Sequence, residues 1–473
     1  MQLRSQEFKS RAARSLANPH LRKALSNLRM RMVVGRVASV AELDNFEQTR
    51  DAAKLVRDDA LAQLDFLLEE FERKATERGA QVHWAETPED MNRIVLEIAQ
   101  RANVRKVIKS KSMLGEESGL NAYLERGGVE VRETDLGEYI IEQSKDVPSH
   151  IIAPAVHRTL EEVADLFEEK HKLPRKTDIS ALTREARMML RPHFLTADMG
   201  ISGANFLVAE TGTTLIVTNE GNGRMTTTLP RVHVAIAGIE KVLPTLEDVS
   251  FILRLLTRSA TAQSISNYLS FTTGPRRDGD TDGPQEFHIV IVDSGRTGVL
   301  GSELREALRC IRCGACMNHC PVYQNIGGHP YGWVYPGPIG SVLTPAYAGL
   351  EAAPDLPNAA TMCNQCGVVC PVKIPLPDLM RKLREKQVQT RLRPWVERTS
   401  LSLWGWVASR PALYALAARV GARALRWMGG RDRLIHSLPL AGAGWTAQRD
   451  MPAARGKTFR ELYAARQRAK GSL

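Results

Sequence analysis

Apolar and polar residues first alternate at helical spacing and then in short strand-like runs. Residues 45–78 predict one long charged helix, whose apolar positions include Leu55, Leu61, Leu64, Leu67 and Phe71. Strand-like runs follow at 80–84, 104–109 and 128–132, with helical stretches between them at 87–102 and 116–126. Strands that alternate with helices indicate a parallel or mixed sheet covered by helices.

A second β-rich region follows a charged helical stretch at 158–192. Its strand-like runs cover 205–209, 213–217, 231–237 and 287–293, with a helix near 246–258. Residues 45–295 are therefore predicted to form one α/β domain. No run of eighteen uncharged apolar residues occurs, and the basic start lacks an apolar signal core, so we expect a cytoplasmic protein.

All seven cysteines of the chain lie between residues 310 and 370, in two ferredoxin-type motifs. The first is Cys-x2-Cys-x2-Cys-x3-Cys-Pro and the second is Cys-x2-Cys-x3-Cys-Pro. Such spacing predicts two iron–sulfur clusters, in which the last cysteine of each motif crosses to the other cluster. On that template cluster one takes Cys310, Cys313, Cys316 and Cys370. Cluster two takes Cys320, Cys363 and Cys366.

Structural zinc is the alternative for CxxC pairs, although a four-cysteine run ending in Cys-Pro suits it poorly. Ala360 stands where a fourth cysteine of the second motif would be expected. Cluster two is therefore either a three-iron cluster or a four-iron cube with a non-cysteine ligand. Asp355 and His329 are candidate stand-ins, but their spacing does not favour them. His319, inside the first motif, is expected to tune a cluster by hydrogen bonding.

The net charge of +11 is concentrated at the two ends of the chain. Residues 1–36 contain nine Lys/Arg and one acid, and residues 381–473 contain twenty Lys/Arg and five acids. A partner protein, an anionic membrane surface or plain solvation would each explain this charge. No nucleic-acid motif accompanies it, so nucleic acid is not expected. The predicted parts are a basic helical arm 1–44, the α/β domain 45–295, the cysteine module 296–393 and a C-terminal region 394–473.

Two segments of the α/β domain are weak candidates for an anion site. Lys109 ends the run 104–109, and Lys111 follows it just before an expected helix. Backbone N–H groups at such a strand-to-helix turn favour anions. Gly212 and Arg224 bracket the second segment, in which Gly212 permits a tight turn and Arg224 can pair with a carboxylate. The sequence NEGNG at 219–223 is ordinary turn chemistry, so a simple hairpin turn is the favoured interpretation of the second segment. His157, His193 and His233 are expected to be structural.

The C-terminal stretch 401–428 predicts an amphipathic helix, followed by an extended tail. It mixes Trp404, Trp406 and Trp427 with several arginines. Packing on the chain's own core, docking to a partner and contact with a membrane surface are the three alternatives.

Several segments together resemble the lactate utilization protein B family, the iron–sulfur subunit of a bacterial lactate-utilization system. They are ADMGISGANFLVAETGTTLIVTNEGNGR (197–224), PRVHVAIAGIEKVLPTLED (230–248), CIRCGACMNHCPVY (310–323), YPGPIGSVLTP (335–345), CNQCGVVCPVKIPL (363–376) and GWTAQRDMPA (444–453). The resemblance runs through most of the chain in the family's order. The block 197–248, joined to the cysteine motifs, is its most specific part.

The resemblance implies an α/β lactate-utilization (LUD) domain, similar to the ribose-phosphate-isomerase and CoA-transferase fold, with a helical ferredoxin-like two-cluster module. It implies two four-iron clusters bound by the seven cysteines, since the family also has three cysteines in its second motif. It further implies a cysteine-rich companion and a second LUD-domain subunit, in a complex that oxidises L-lactate to pyruvate.

Electron transfer is the role expected for this subunit, because the chain has no flavin or nicotinamide motif. We expect the lactate site on a partner or at a junction with it, and catalytic residues cannot be assigned. No motif identifies the electron acceptor. Two other classes remain as alternatives: a redox or metabolite sensor, and the iron–sulfur subunit of a different oxidoreductase, such as glycolate oxidase or heterodisulfide reductase.

Overall fold

The computed structural model describes residues 2–218, 220–266, 268–439, 442–447 and 449–470. The chain divides into two compact units, one up to Gln387 and one from Val388 onward. No helix of the described residues is long and apolar enough to cross a membrane.

The strands of the first unit form two sheets. Their bounds are β1 Gln81–Ala85, β2 Lys106–Lys109, β3 Glu130–Glu133, β4 Met199–Gly203, β5 Phe206–Val208, β6 Thr213–Thr218, β7 Val232–Gly238, β8 Val242–Leu243, β9 Tyr268–Thr272 and β10 Glu286–Val292. The larger sheet is parallel throughout, in the order β1-β10-β7-β4-β2-β3. The smaller sheet, β8-β5-β6-β9, is mixed. This architecture confirms the α/β class.

Helices surround both sheets and make up most of the cysteine module. Those of the first unit are α1 Phe8–Leu16, α2 Pro19–Leu28, α3 Gly35–Ala41, α4 Phe46–Ala62, α5 Leu64–Glu77, α6 Pro88–Arg101, α7 Met113–Ser118, α8 Leu120–Arg126, α9 Leu136–Ser144, α10 Leu160–His171, α11 Ile179–Thr196, α12 Asn222–Thr228, α13 Leu246–Thr261, α14 Arg296–Leu300, α15 Ala315–Asn318, α16 Tyr323–Ile326, α17 Gly337–Ala348, α18 Gln365–Val368 and α19 Leu376–Gln389, whose last two residues belong to the second unit. Short 3₁₀ segments lie at Ser5–Glu7, Ile239–Lys241, Arg305–Arg309, His329–Tyr331 and Leu356–Asn358, and a π-helical turn at Arg29–Val34.

The parallel sheet is buried on both faces, which explains the nearly continuous apolar sequence of β7 and β10. One face packs on a cluster that includes Met91 and Val95 of α6, and the other on Leu67 and Phe71 of α5. Helix α6, which covers the sheet, begins with a capping box. The side chain of Thr87 accepts a hydrogen bond from the backbone N–H of Asp90.

The cysteine module shares one hydrophobic core with the N-terminal helices and the smaller sheet. This core joins Leu25 of α2 and Leu215 of β6 to Cys316, Cys366 and the module's other apolar side chains. The segment 1–44 contains α1, α2 and α3 and packs into the first unit.

The second unit is helical with two short strands. Its elements are α20 Trp395–Ala408, α21 Pro411–Met428, β11 Leu434–Ile435, α22 Ala443–Thr446, β12 Met451–Pro452 and α23 Phe459–Lys470. The single helix expected at 401–428 is two helices, because Pro411 begins a new one. The stretch after Met428 also contains α23, a helix that we did not predict.

The first unit differs from the sequence prediction in several details, including the unpredicted strands β4, β8 and β9. The helix predicted over 45–78 is two helices that meet at Gln63, and Leu55 is exposed rather than packed. The hairpin turn predicted at 219–223 is wrong. β6 instead pairs with β5 and β9, and Asn222 and Gly223 begin α12. Asn219 lies outside the described residues.

Candidate iron–sulfur centres

The first group of cysteines encloses a small cavity. Cys310, Cys313, Cys316 and Cys370 all line it, although Cys370 comes from the second motif. Burial, with smaller effects of the neighbouring Cys370 and Cys310, raises the pKa of Cys313 to about 12. Burial also raises the pKa of Cys370 to about 11. Buried thiolates of this kind are unfavourable unless a cationic group neutralises them.

The second group joins the last cysteine of the first motif to the second motif. Burial, with smaller effects of the nearby Cys320 and Cys363, raises the pKa of Cys366 to about 12. Cys363 is the exposed member, and its pKa is lowered, chiefly because the backbone N–H of Gln365 donates to its sulfur. The two groups therefore follow the crossed arrangement of the sequence template.

The backbone of the two motifs repeats around their cysteines. Arg312 and Gly314 flank Cys313 with φ angles of 59° and 74°, and Met362 and Asn364 flank Cys363 with φ angles of 58° and 65°. Left-handed residues are rare outside glycine, so their recurrence at matching positions marks a shared turn. In this register Ala360 occupies the place of Cys310, which explains why one group has three cysteines.

Backbone N–H groups of these turns point at the sulfurs. The N–H of Arg312 donates to Sγ of Cys310 at 3.4 Å, and that of Ile374 donates to Sγ of Cys370 at 3.3 Å. The N–H groups of Ala315 and Gln365 donate to Cys313 and Cys363 at matching positions. Such bonds favour the thiolate form, which is the form that binds metal.

The separation of the sulfurs argues against the zinc alternative. A tetrahedral zinc site with Zn–S bonds of about 2.3 Å places its sulfurs about 3.8 Å apart. Within the described part of the chain, the only group of three or more His, Cys, Asp or Glu ligands within 4.8 Å of one another is Asp146, His157 and His329. No three cysteine sulfurs of the described residues therefore lie within 4.8 Å of one another, as ligands of a single zinc ion would.

Two arginines from the first fifty residues donate hydrogen bonds to backbone carbonyls of the second motif. Arg36 donates to the carbonyl of Val369 at 3.0 Å, and Arg50 donates to the carbonyls of Val368 and Cys370 at 2.8 and 2.6 Å. Both guanidinium groups therefore lie beside the cysteine groups, where positive charge stabilises anionic sulfur. Sequence reasoning missed these residues, because they lie more than 300 positions before the second cysteine motif.

The candidate histidines and the candidate acid near the cysteines have other partners. His319 Nδ1 lies 2.9 Å from the carbonyl of Ala315, and His329 Nε2 lies 2.8 Å from that of Val147. Asp355 forms an ion pair of 3.0 Å with Lys9. His157 contacts Ser149 at 2.8 Å and Asp146 at 3.1 Å, which supports a structural role.

The four candidate anion-site residues are not brought together. Lys109 is buried between Glu133 and Glu116, with its Nζ 2.7 and 3.2 Å from their carboxylate oxygens. Gly212 lies against the backbone of Lys74 and Ala75, and the exposed Arg224 reaches the carbonyl of Leu269 at 3.5 Å. Lys111 alone lines a larger cavity.

That cavity has a volume of about 210 Å³ and lies at the carboxyl ends of β2, β4 and β7. Ser110, Gly203 and Gly238 mark these three strand ends at its wall. Its charged lining includes Lys241 and Arg312, which sequence reasoning missed, because they come from separate segments without a local motif.

Glu240 forms ion pairs with two arginines that line this cavity. Its carboxylate lies 2.9 Å from Arg296 Nε and 3.5 Å from Arg312 Nη2. Burial alone would raise the pKa of Glu240, but Arg296, Lys241 and Arg312 lower it to about 2. Burial lowers the pKa of Lys241 to about 8, against the opposing effect of Glu240.

Three family models match successive parts of the chain. They are the LUD domain over residues 68–292, the 4Fe-4S dicluster domain over 306–374 and "Lactate utilisation protein B, C-terminal" over 380–468. A solved structure of a DUF162 family protein from Deinococcus radiodurans aligns with 48% of this chain and 98% of its own, at 14% identity and a TM-score of 0.28.

Curated relatives match over nearly the full length. "Uncharacterized electron transport protein YkgF" of Escherichia coli is 42% identical over 98% of this chain and 97% of its own. Lactate utilization protein B of Bacillus subtilis is 40% identical over 99% of this chain and 98% of its own. Lactate utilization protein B of Shouchella clausii is 42% identical over 98% and 97%.

The fold and the cysteine groups define an iron–sulfur protein in which a LUD domain is joined to a ferredoxin-type 4Fe-4S module. The relatives are similar along the whole length, including the C-terminal region. The chain belongs to the lactate utilization protein B family.

Proposed function

We propose that this protein is the electron-transfer subunit of a complex that oxidises L-lactate to pyruvate and supports growth on lactate. The observation that carries the proposal is the crossed pairing of cysteines beside a LUD domain, in a chain about 40% identical to lactate utilization protein B along its length. When bound, the clusters supply one-electron transfer.

The cofactors in this proposal are two [4Fe-4S] clusters. Cys310, Cys313, Cys316 and Cys370 would hold the first, and Cys320, Cys363 and Cys366 would hold the second. The buried thiols of the first group and their backbone N–H donors support this assignment. The exposed Cys363 and the partly exposed Ala360 support an incompletely ligated second site that faces outward.

The parts of the chain have separate roles in this proposal. Residues 1–44 brace the cysteine module, 45–295 form the LUD domain, 296–393 carry the clusters and 394–473 dock to companions. A cysteine-rich subunit and a second LUD-domain subunit are the proposed companions, in the cytoplasm. The docking role is supported by exposed side chains of the second unit, with Trp404 65% and Trp427 84% exposed.

Substitution of a first-group cysteine tests the role. In Cys310→Ala, absorbance of the first cluster and growth on L-lactate should both be lost, while growth on glucose should be normal. Cys310 lies beside Arg57 and Lys241, so removal of its thiolate also leaves these cations less compensated. Normal lactate growth of a strain whose protein has lost cluster absorbance would refute the electron-transfer role. That result would favour the sensor alternative.

A further inference from the structure

The cavity at the carboxyl ends of β2, β4 and β7 has the position of a ligand site. In open parallel sheets, ligands bind in the crevice outside the carboxyl ends of the strands. Ser110 follows β2, Gly203 ends β4 and Gly238 ends β7, and all three line the cavity. Its volume of about 210 Å³ lies below the roughly 300–1,000 Å³ of pockets for drug-sized ligands, so the occupant is small.

Three polar groups at this cavity are buried without a hydrogen-bond partner. They are Oγ of Ser110, Nζ of Lys111 and Nη1 of Arg312. Ser110 is 2% exposed and Arg312 is 9% exposed. A buried donor left without a hydrogen-bond partner is unfavourable. Three of them beside one cavity indicate that a ligand with acceptor oxygens completes the site.

The lining offers cationic groups to an anion. Four cationic residues line the cavity (Lys111, Lys241, Arg296 and Arg312), against two acids in the lining (Asp135 and Glu240). Arg296 and Lys111 also pair with Glu117 and Glu138, which are not part of the lining, so the unpartnered donors rather than an excess of positive charge favour an anion.

Both acids are already engaged. Asp135 caps α9, because its Oδ1 accepts from the backbone N–H groups of Gly137 and Glu138 at 3.0 and 3.3 Å. Glu240 is shared by Arg296 and Arg312. Lys111 Nζ forms an ion pair of 3.7 Å with the carboxylate of Glu138, which leaves the ammonium group without a hydrogen-bond partner.

The remaining wall is partly apolar, and the cavity adjoins the first cysteine group. Ile152, Ile216 and Ile236 line the cavity alongside polar side chains such as Asn205, which suits a polar ligand with a short hydrocarbon part. Ile151 and Arg312 line both this cavity and the cavity enclosed by Cys310, Cys313, Cys316 and Cys370. A molecule bound here would therefore lie next to the first cluster.

We propose that this cavity binds a small monocarboxylate, with Lys111, Arg312 and Ser110 donating to its oxygens. The assignment of that acid to the 2-hydroxy or 2-oxo class rests on the proposed function, whereas binding of a carboxylate rests on the cavity itself. The LUD domain then holds the substrate or product beside the cluster module, rather than serving only as a scaffold.

Isothermal titration of the full-length, anaerobically purified protein with L-lactate and pyruvate tests this site. Neutral lactamide is the control ligand, and inorganic phosphate is the competing anion. Lys111→Met and Ser110→Ala are the test variants. Lys106→Met is the matched control, because Lys106 lies on β2 but outside the cavity.

Lactate or pyruvate should bind in the wild type, while lactamide should not. Lys111→Met should weaken binding at least about tenfold, and Ser110→Ala should weaken it severalfold. Lys106→Met should leave the affinity unchanged. Absence of carboxylate binding, or equal affinity in Lys111→Met and the wild type, would overturn the site. Tighter binding of phosphate than of either acid would overturn the ligand class.

Carboxylate binding and cluster content can be lost separately, so the cavity assignment and the electron-transfer role are tested independently. If the protein contains both clusters and supports growth on lactate but binds no carboxylate, only the cavity assignment is lost. If it binds the acids but contains no clusters, the electron-transfer role is lost and the binding site stands.

Discussion

Arg312, between the first two cysteines of the first motif, holds its Nη2 atom 3.5 Å from Oε1 of Glu240, two residues beyond the end of β7. The same carboxylate faces Nε of Arg296 at 2.9 Å on its other oxygen. Arg57 donates to the backbone carbonyls of Glu240 and of Leu308 just before the cysteines, the latter at 2.9 Å. The cluster module and the sheet are therefore joined through one buried charged junction.

Glu240→Gln should break this junction without changing its shape. Two buried guanidinium groups would lose their shared carboxylate, so the free energy of unfolding should fall by about 3–5 kcal/mol. Urea unfolding of the anaerobic protein measures the loss. The matched control is Glu97→Gln, whose partner Arg93 lies at 2.9 Å with both side chains more than half exposed. The control should lose less than about 1 kcal/mol. Equal losses in the two variants would contradict the junction's importance.

The crossed pairing predicts which cysteine variants resemble each other. Cys370→Ala should damage the same cluster as Cys316→Ala, although the two residues belong to different motifs, because both line the first cavity. Cys320→Ala should instead match Cys366→Ala. Electron paramagnetic resonance of the reduced proteins distinguishes the two clusters. A spectrum of Cys370→Ala that matches Cys366→Ala would contradict the pairing.

Ala360→Cys should supply the missing fourth thiolate. Ala360 occupies the place of Cys310 in the repeated turn, and its partly exposed position leaves room for a larger side chain. A fully thiolate-bound second cluster should lose less iron in air, so the variant should retain more iron than the wild type after timed exposure. The neighbouring Ala359→Cys is the control, since that position is buried and out of register. Equal iron loss in Ala360→Cys and the wild type would argue against the register.

Acidification should weaken the LUD domain through His233. This histidine lies in the sheet core, stacked on Phe287, with Nε2 2.9 Å from Oγ of Ser202. Burial, with a smaller effect of His288, lowers the pKa of His233 from 6.5 to about 3. Below pH 6.5, His233 therefore binds a proton in the unfolded chain but stays neutral in the folded chain until the pH nears 3. Its contribution to stability is present above pH 6.5 and is lost as the pH falls towards 3.

The loss should approach about 1.4 kcal/mol per pH unit, measured by urea unfolding between pH 6.5 and 4.5. His233→Gln should show a shallower pH dependence than the wild type by about that amount. The exposed His20→Gln should keep the wild-type slope. An unchanged slope in His233→Gln would show that this group does not control the acid sensitivity.

Local patterns predicted the elements with strong periodicity and missed those without it. Strand β7, with the sequence VHVAIAG, was evident from its apolar run, whereas β4, MGISG, was missed because glycine and serine conceal its buried position. The turn chemistry of NEGNG suggested a hairpin, yet the pairing of β6 with β5 and β9 decides its path. Tertiary pairing overrode the local turn preference.

The candidate ligands were predictable because cluster spacing is a local property of the chain. The groups around them were not, because Arg50, Glu240 and Lys241 reach the cysteines only through the fold. Of the weak anion candidates, only Lys111 lines the cavity, and its neighbour Lys109 is neutralised by two glutamates. Such pairing depends on side-chain placement that no sequence spacing encodes.

The most direct test is the iron and acid-labile sulfide content of the full-length protein purified without oxygen. Two four-iron clusters predict about eight irons and eight sulfides per chain, with a broad charge-transfer absorbance that reduction bleaches. Fewer than about six irons would mean that only one cluster is bound. A colourless protein with stoichiometric zinc would contradict the electron-transfer role altogether.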